Sequence, residues 1–309
     1  MDELPIKINI DVDVNELTKP ILEPTLNSVG RTISDIFEIV FGGVHTFAEK
    51  RKFIRENELI AFKNNINKKI NSIPINKLKK PDIDVVGPIL EASKYYFKNE
   101  EIRKLFGNLL VSSVNIDYED CLHHSFCEII KQLSTDEAIL LNSLAKDSSN
   151  KNKRFPIVSI RYITYEGIVN DNLNSNGIYL KRFTKENNNL TSELYKIEAD
   201  YKDFKEGYTL FNAISLDALN AKCKYPQNIQ KYLENLKRLG LIDFSNNILI
   251  NNCDYDNIIK SEFINDMILN NKYFKNSHVM LSHQMNFIFK NHYYKFNEFG
   301  CDFIKTCIL

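Results

Sequence analysis

Apolar positions recur at three- and four-residue spacing through much of the first half of the chain. In the second half helical and alternating patterns are mixed. Ile33, Ile36, Phe37, Val40, Phe41, Val44 and Phe47 fall on one face of a helix predicted over about 28–47, with Ser34, Asp35, Glu38 and His45 mostly opposite. Gly42 and Gly43 mark a kink or a close contact in it. Residues 1–27, with Pro5, Pro20 and Pro24, read as an extended arm or tail. Leu59, Phe62, Ile66, Ile70 and Ile73 continue the helical stripe within a basic segment. Between Glu49 and Lys80, ten Lys and Arg face three Glu. Val85–Phe97 predicts the next helix. Asn99 then reads as the N-cap of another, with Glu100 and Glu101 in the first turn and Ile102, Leu105, Phe106, Leu109 and Leu110 inward.

Ser134 and Glu137 form a capping box, in which each side chain satisfies a backbone N–H of the other residue, ahead of Ile139, Leu140 and Leu144. Phe155–Ile163 reads as a strand, and the Asn-rich stretch 171–206 as an insertion or loop with short elements. A short helix at Leu216–Lys222 precedes a longer one. Pro226 fits its first turn, Ile229, Leu233, Leu236 and Leu239 form its stripe, and Gly240 stops it. Leu241–Phe244 and Ile248–Ile250 flank Ser245–Asn247 as a hairpin. A helix over Asp256–Lys272, a last strand at Tyr293–Phe296 and a closing helix over Glu298–Ile308 complete the reading. The fold class is therefore mainly α, and α+β overall. A helical region at 28–133 is followed by a winged-helix-like α+β part at 134–309 that carries the insertion.

Length and composition allow a sizeable core: 309 residues, 43% hydrophobic and 26% charged. Lys+Arg and Asp+Glu are both 40, so the chain as a whole is pushed toward neither nucleic acid nor anionic lipid. Six cysteines are too sparse for a disulfide scaffold. No apolar run reaches the ~18 residues of a membrane span, and the N-terminus does not read as a secretory signal. The expectation is a cytoplasmic protein with free thiols. The abundance of Asn, Lys and Ile suggests an AT-rich bacterial coding sequence. Phosphate-cradling GxGxxG and GxxxxGK[ST] loops are absent, as are GxSxG, HExxH and CxxC. No nucleotide cofactor is expected, and none of any other kind.

CLHHSFC, Cys121–Cys127, is the stretch richest in reactive side chains. Thiol and imidazole are zinc ligands. Structural zinc sites, however, draw ligand pairs from separated segments, and no second pair is nearby in sequence. Cys127 also fits a small buried hydrophobe and His123 a helix-opening residue, so no metal or catalytic residue is assigned. Two contact faces are expected instead. Lys231, Lys237 and Arg238 lie on or beside the second helix of the winged-helix-like motif and suit nucleic acid or a partner. Phe37, Val40, Phe41 and Val44, followed by the basic segment, suit a membrane surface or a partner, or burial against neighbouring helices. The partners expected are macromolecular: protein, nucleic acid, the inner face of a membrane, or a second copy of the chain.

Four stretches together resemble the abortive infection alpha family: residues 66–96, 99–115, 123–141 and 232–242, with EFGCDFIKTC near the end. The resemblance covers roughly residues 30–309. It implies a role in phage defence, in which the infected cell stops growing or dies before the phage matures. It carries no catalytic residues over, so an effector or sensor without enzymatic activity is expected, with a winged-helix nucleic-acid-binding regulator as the alternative. The family pattern at residues 123–126 opens His-Pro-Ser-Phe. His123 takes the histidine place and His124 the proline's, while Cys121 and Cys127 stand outside the pattern.

Overall fold

The fold was analysed in a computed structural model that describes residues 29, 31–32, 35, 49–96, 98–147, 153–163, 178–186, 189–197, 209–245, 252–271 and 284–309. The N-terminal arm, the Phe37–Val44 face and the second strand of the expected 241–250 hairpin lie outside these residues.

From Glu49 onward the described residues form α1 (Glu49–Asn71), α2 (Ile83–Ser93), α3 (Glu100–Ser113), α4 (Ser125–Lys131) and α5 (Thr135–Asp147). Their starts follow local chemistry. Asp82 caps α2 by accepting the Asp84 N–H at 3.0 Å, and Asn99 caps α3 by accepting the Ile102 N–H at 3.3 Å. The capping box of α5 closes reciprocally. The Ser134 N–H donates to Glu137 Oε2 at 2.6 Å, and the Glu137 N–H to Ser134 Oγ at 3.2 Å. Phe62, Ile66 and Ile70 of α1 are buried against α3, as their four-residue spacing requires. Gly107 lets the two helices lie close, since a Cβ there would come within 3.2 Å of the Phe62 ring.

Four strands follow: β1 (Phe155–Ile163), β2 (Ile178–Glu186), β3 (Asn189–Ile197) and β4 (Thr209–Ile214). After them come α6 (Asp217–Asn220), α7 (Ile229–Arg238), β5 (Ile242–Ser245), α8 (Asn252–Lys260), α9 (Glu262–Asn270), β6 (Gln284–Phe296) and α10 (Glu298–Cys307). The sheet is antiparallel throughout, in the order β3-β2-β6-β1-β4. β6 is its spine. One edge pairs with β1 from Phe155↔Tyr294 to Ile163↔Asn286. Its other edge takes β2 along Gln284–Phe289 and then β5 along Tyr293–Phe296. The chain is thus α+β. One cluster of buried apolar side chains runs without a break from α1 through the sheet to α10.

Several elements differ from the sequence reading, which held no strand at β4 (Thr209–Ile214). The Asn-rich stretch contains β2 and β3, two nine-residue strands paired from Ile178↔Ile197 to Glu186↔Asn189. Their polar residues hide the alternation; in β3, Thr191, Ser192 and Glu193 are all exposed. The predicted Asp256–Lys272 helix is two helices. Ser261 breaks it by accepting the Ile264 N–H at 3.3 Å as the N-cap of α9. The last strand is thirteen residues long, starting at Gln284 rather than Tyr293. Met285–Phe289 is buried on both faces, so it shows no period of two.

Candidate functional site

α7 ends in a Schellman turn: the Gly240 N–H donates to Lys237 O at 2.9 Å and the Leu241 N–H to Leu236 O at 3.0 Å, with Gly240 at φ +75°. This corner docks on the start of α10. Asn297 Nδ2 donates to Gly240 O at 2.9 Å, while its Oδ1 accepts the Gly300 N–H at 2.8 Å. The approach is so close that a Cβ on Gly300 would stand 1.9 Å from Leu241 O. Phe299 and Phe303 then pack on Phe126 of α4 at ring distances of 5.1 and 5.3 Å. At the far end of α10, Ser112 Oγ donates to Thr306 O at 2.8 Å and Asn108 Nδ2 to Cys307 O at 2.9 Å, satisfying carbonyls that the helix leaves open. Four stretches of the sequence resemblance (α3, the His123 segment, the end of α7, and α10) therefore meet in one junction.

CLHHSFC lies at this junction, and its side chains point to different neighbours. His123 Nδ1 accepts the Ser125 N–H at 3.1 Å, opening α4, and its ring meets Phe299 edge-on at 5.3 Å. His124 is exposed. Cys127 is buried and reaches Pro88 O at 3.6 Å. Cys121 accepts from Lys305 Nζ at 2.9 Å and donates to Asp120 Oδ1 at 3.1 Å. Burial pushes the Cys127 thiol up to about 11 and raises that of Cys121 as well, so both favour the protonated form over the thiolate that a ligand or nucleophile needs. Among the described residues, no group of three or more His, Cys, Asp or Glu side chains is placed to hold a metal ion.

A second polar centre ties α5 to the approach to α7. The Asp136 carboxylate, 6% exposed, accepts the Lys224 N–H at 2.8 Å, the Tyr225 N–H at 2.9 Å and the Tyr232 hydroxyl at 2.7 Å. Burial alone would raise its pKa. The Tyr232 hydroxyl and the two N–H groups outweigh burial and hold the carboxyl below the usual carboxylate range. Next to it, Lys222 adopts the left-handed conformation, at φ 61°. The sequence reading missed Asp136, because an Asp in a first helical turn looks like an ordinary dipole partner.

Lys231, Lys237 and Arg238, the basic residues expected to make contacts, are exposed along α7, while Phe37, Val40, Phe41 and Val44 lie outside the described residues. Arg238 Nη1 donates to Gln132 Oε1 at 3.0 Å, and Nη2 to Asn235 Oδ1 at 2.6 Å, which brackets α7 to the end of α4. The Lys237 ammonium lies 5.1 Å from the Phe244 ring centre. Lys231 is exposed, on the same helix as an exposed Glu234.

A concave surface lies along α1, α3 and α5. Two adjoining cavities of about 220 and 230 Å³ share Asn65, Lys69, Lys104 and Asn108. Arg103 and Glu100 border one, and Asn142 and Ile308 the other. Lys104 is held by Glu100 at 2.9 Å and Glu101 at 3.1 Å. Lys69 Nζ donates to Asn108 Oδ1.

An α+β body closed by its last described helix is what the fold and junction define. The chain belongs to the abortive infection alpha family, whose profile matches residues 54–307. No curated protein and no solved structure matches the chain. No helix among the described residues is long and apolar enough to cross a membrane.

Proposed function

We propose that this chain is a phage-defence protein acting by abortive infection, as an effector or sensor that works through macromolecular contacts rather than by its own catalysis. The observation that carries this reading is family membership over residues 54–307, which takes in most of the chain. We place it in the cytoplasm of a bacterial cell, with Phe37, Val40, Phe41 and Val44 as its face for the inner membrane surface or a partner. The deciding experiment is phage challenge of bacteria expressing the chain, followed by growth and membrane potential. Protection with arrest or death of infected cells is the expected result. Plaque numbers equal to those of an empty vector would overturn the reading. Flotation with anionic liposomes, with Phe41→Asp as control, tests the membrane face; absence of wild-type binding removes it.

A winged-helix nucleic-acid-binding regulator is the second reading. It is favoured by the order α6, α7, β5, with Lys231 and Lys237 exposed on α7. Arg238 is the weakest of the three expected contacts, since its guanidinium is already engaged. Binding of DNA or RNA should weaken steeply with salt if phosphates are contacted. A flat salt profile would exclude this reading.

A further inference from the structure

We propose that the turn between α6 and α7 is a contact site for single-stranded nucleic acid, with an unstacked base on the Tyr225 ring and phosphates at Lys222, Lys224 and Lys231. The inference goes beyond the defence reading. It deepens the regulator reading and rests on it, but moves the main contact from the outer face of α7 to the turn that precedes it.

The backbone of this turn is fixed at four successive residues. The Lys222 N–H donates to Leu219 O at 3.0 Å and the Cys223 N–H to Ala218 O at 2.9 Å. The Lys224 and Tyr225 N–H groups donate to the two carboxylate oxygens of Asp136, at 2.8 and 2.9 Å. Cys223 is buried, its Sγ donating to Asp136 O at 3.4 Å. Lys222, Lys224 and Tyr225 are exposed, and the tyrosine is left 46% open to solvent. A ligand that binds these side chains finds the backbone beneath them already ordered, which removes one cost of association.

Single strands are held by cations for the phosphates and aromatic faces for the bases, and this turn carries both. The Lys224 ammonium lies 5.2 Å from the Tyr225 ring centre, so a phosphate held by this lysine brings its base within reach of the ring. Lys222 stands two residues before it, and Lys231 is exposed in the first turn of α7. Between residues 215 and 236 the exposed charged side chains are these three lysines and Glu234, so the local charge is positive although the chain as a whole is neutral. A duplex keeps its bases stacked on one another and offers the ring no free face, so the open aromatic favours a single strand.

The test is fluorescence anisotropy of the full chain with labelled oligouridine of about 12 nucleotides and with a duplex of the same length. Saturable binding of the single strand is expected, tighter than that of the duplex, with a logarithmic salt slope of about −2, as three phosphate contacts on a single strand imply. Tyr225→Ala should weaken it roughly tenfold at an unchanged salt slope. Tyr225→Phe should keep most of the affinity, because stacking uses the ring and not the hydroxyl. Lys222 sits at φ 61°, a conformation that Asn tolerates, so Lys222→Asn should leave the urea midpoint in place and reduce the salt slope by about 0.7. Single-strand binding equal in wild type, Tyr225→Ala and Lys222→Asn, or tighter binding of the duplex, would overturn the inference and leave the regulator reading standing. No saturable binding to either probe, or a flat salt profile with both, would remove that reading and this inference together. Phage protection is not a readout here, so the defence reading is tested separately.

Discussion

Replacing Asp136 tests whether a buried carboxylate, rather than apolar packing alone, holds α7 against the helical part. In Asp136→Ala the Tyr232 hydroxyl keeps a partner, Tyr225 O at 3.1 Å. The Lys224 and Tyr225 N–H groups lose theirs. Each N–H left unsatisfied costs ~1–3 kcal/mol, but the two are only part-buried and water can reach them, and removing the carboxylate's own desolvation returns a further part, so the expected loss is about 2 kcal/mol. Asp136→Asn keeps the shape and one good acceptor but turns an NH2 toward a donor, so roughly half that loss is expected. Urea unfolding should show the midpoint of the Ala variant lowered on the order of 1 M with little change in slope. Acid supplies an independent arm. The folded pKa of Asp136 is depressed, so its contribution is present above the unfolded value and is lost as pH falls through the folded one. The wild type should therefore lose more stability than Asp136→Asn across the carboxylate range. A cost below ~1 kcal/mol for Asp136→Ala, with acid limbs of equal depth in wild type and Asp136→Asn, would refute the reasoning.

Three further substitutions probe close contacts, helix propensity and buried charge. Gly300→Ala places its methyl where the Leu241 carbonyl already stands, so the turn after α7 must retreat. A loss of ~2–4 kcal/mol is expected in the same urea assay. Gly87→Ala, in α2 with nothing within 4 Å of the added carbon, should instead be neutral or gain up to ~1 kcal/mol. Lys181 is buried in the sheet, donates to Ile259 O at 3.0 Å and has its pKa lowered by burial. The unfolded chain then holds the extra proton over a window below 10.5, so stability should rise with pH there. Lys181→Met should remove that rise when urea midpoints are compared between roughly pH 8 and 10.

Local chemistry was legible in the sequence where it acts over a few residues. Asn99, Ser134 with Glu137, and Gly240 each bond to backbone or side chains no more than five positions away, and each forms the cap or stop that its spacing predicted. β1 was legible because Phe155–Ile163 combines β-branched content with partial alternation. What escaped depends on distant partners. Met285–Phe289 carries no periodicity because β1 and β2 flank it on both edges and both of its faces are covered. Gly300 looks like any helical glycine until Leu241 O is brought against it. Asp136 differs from its charged neighbours only through what surrounds it in three dimensions. CLHHSFC shows the converse: side chains that share a short stretch of sequence are separated by the turn into α4, and each finds a different neighbour.

The position of β6 bears on how the protein comes to be made. Its three partner strands all precede it, and the most distant, β1, by well over a hundred residues. Until Gln284–Phe296 leaves the ribosome, β1 lacks one neighbour, and β2 and β5 have no strand between them and β1. Loop-closure entropy makes such long-range pairing slow. The nascent chain therefore spends the later part of its synthesis with open strand edges, a state in which strands of neighbouring chains can pair by mistake. Production of the active molecule should thus be limited by the arrival of β6, and most sensitive to chaperone supply while the stretch between β1 and β6 is being translated.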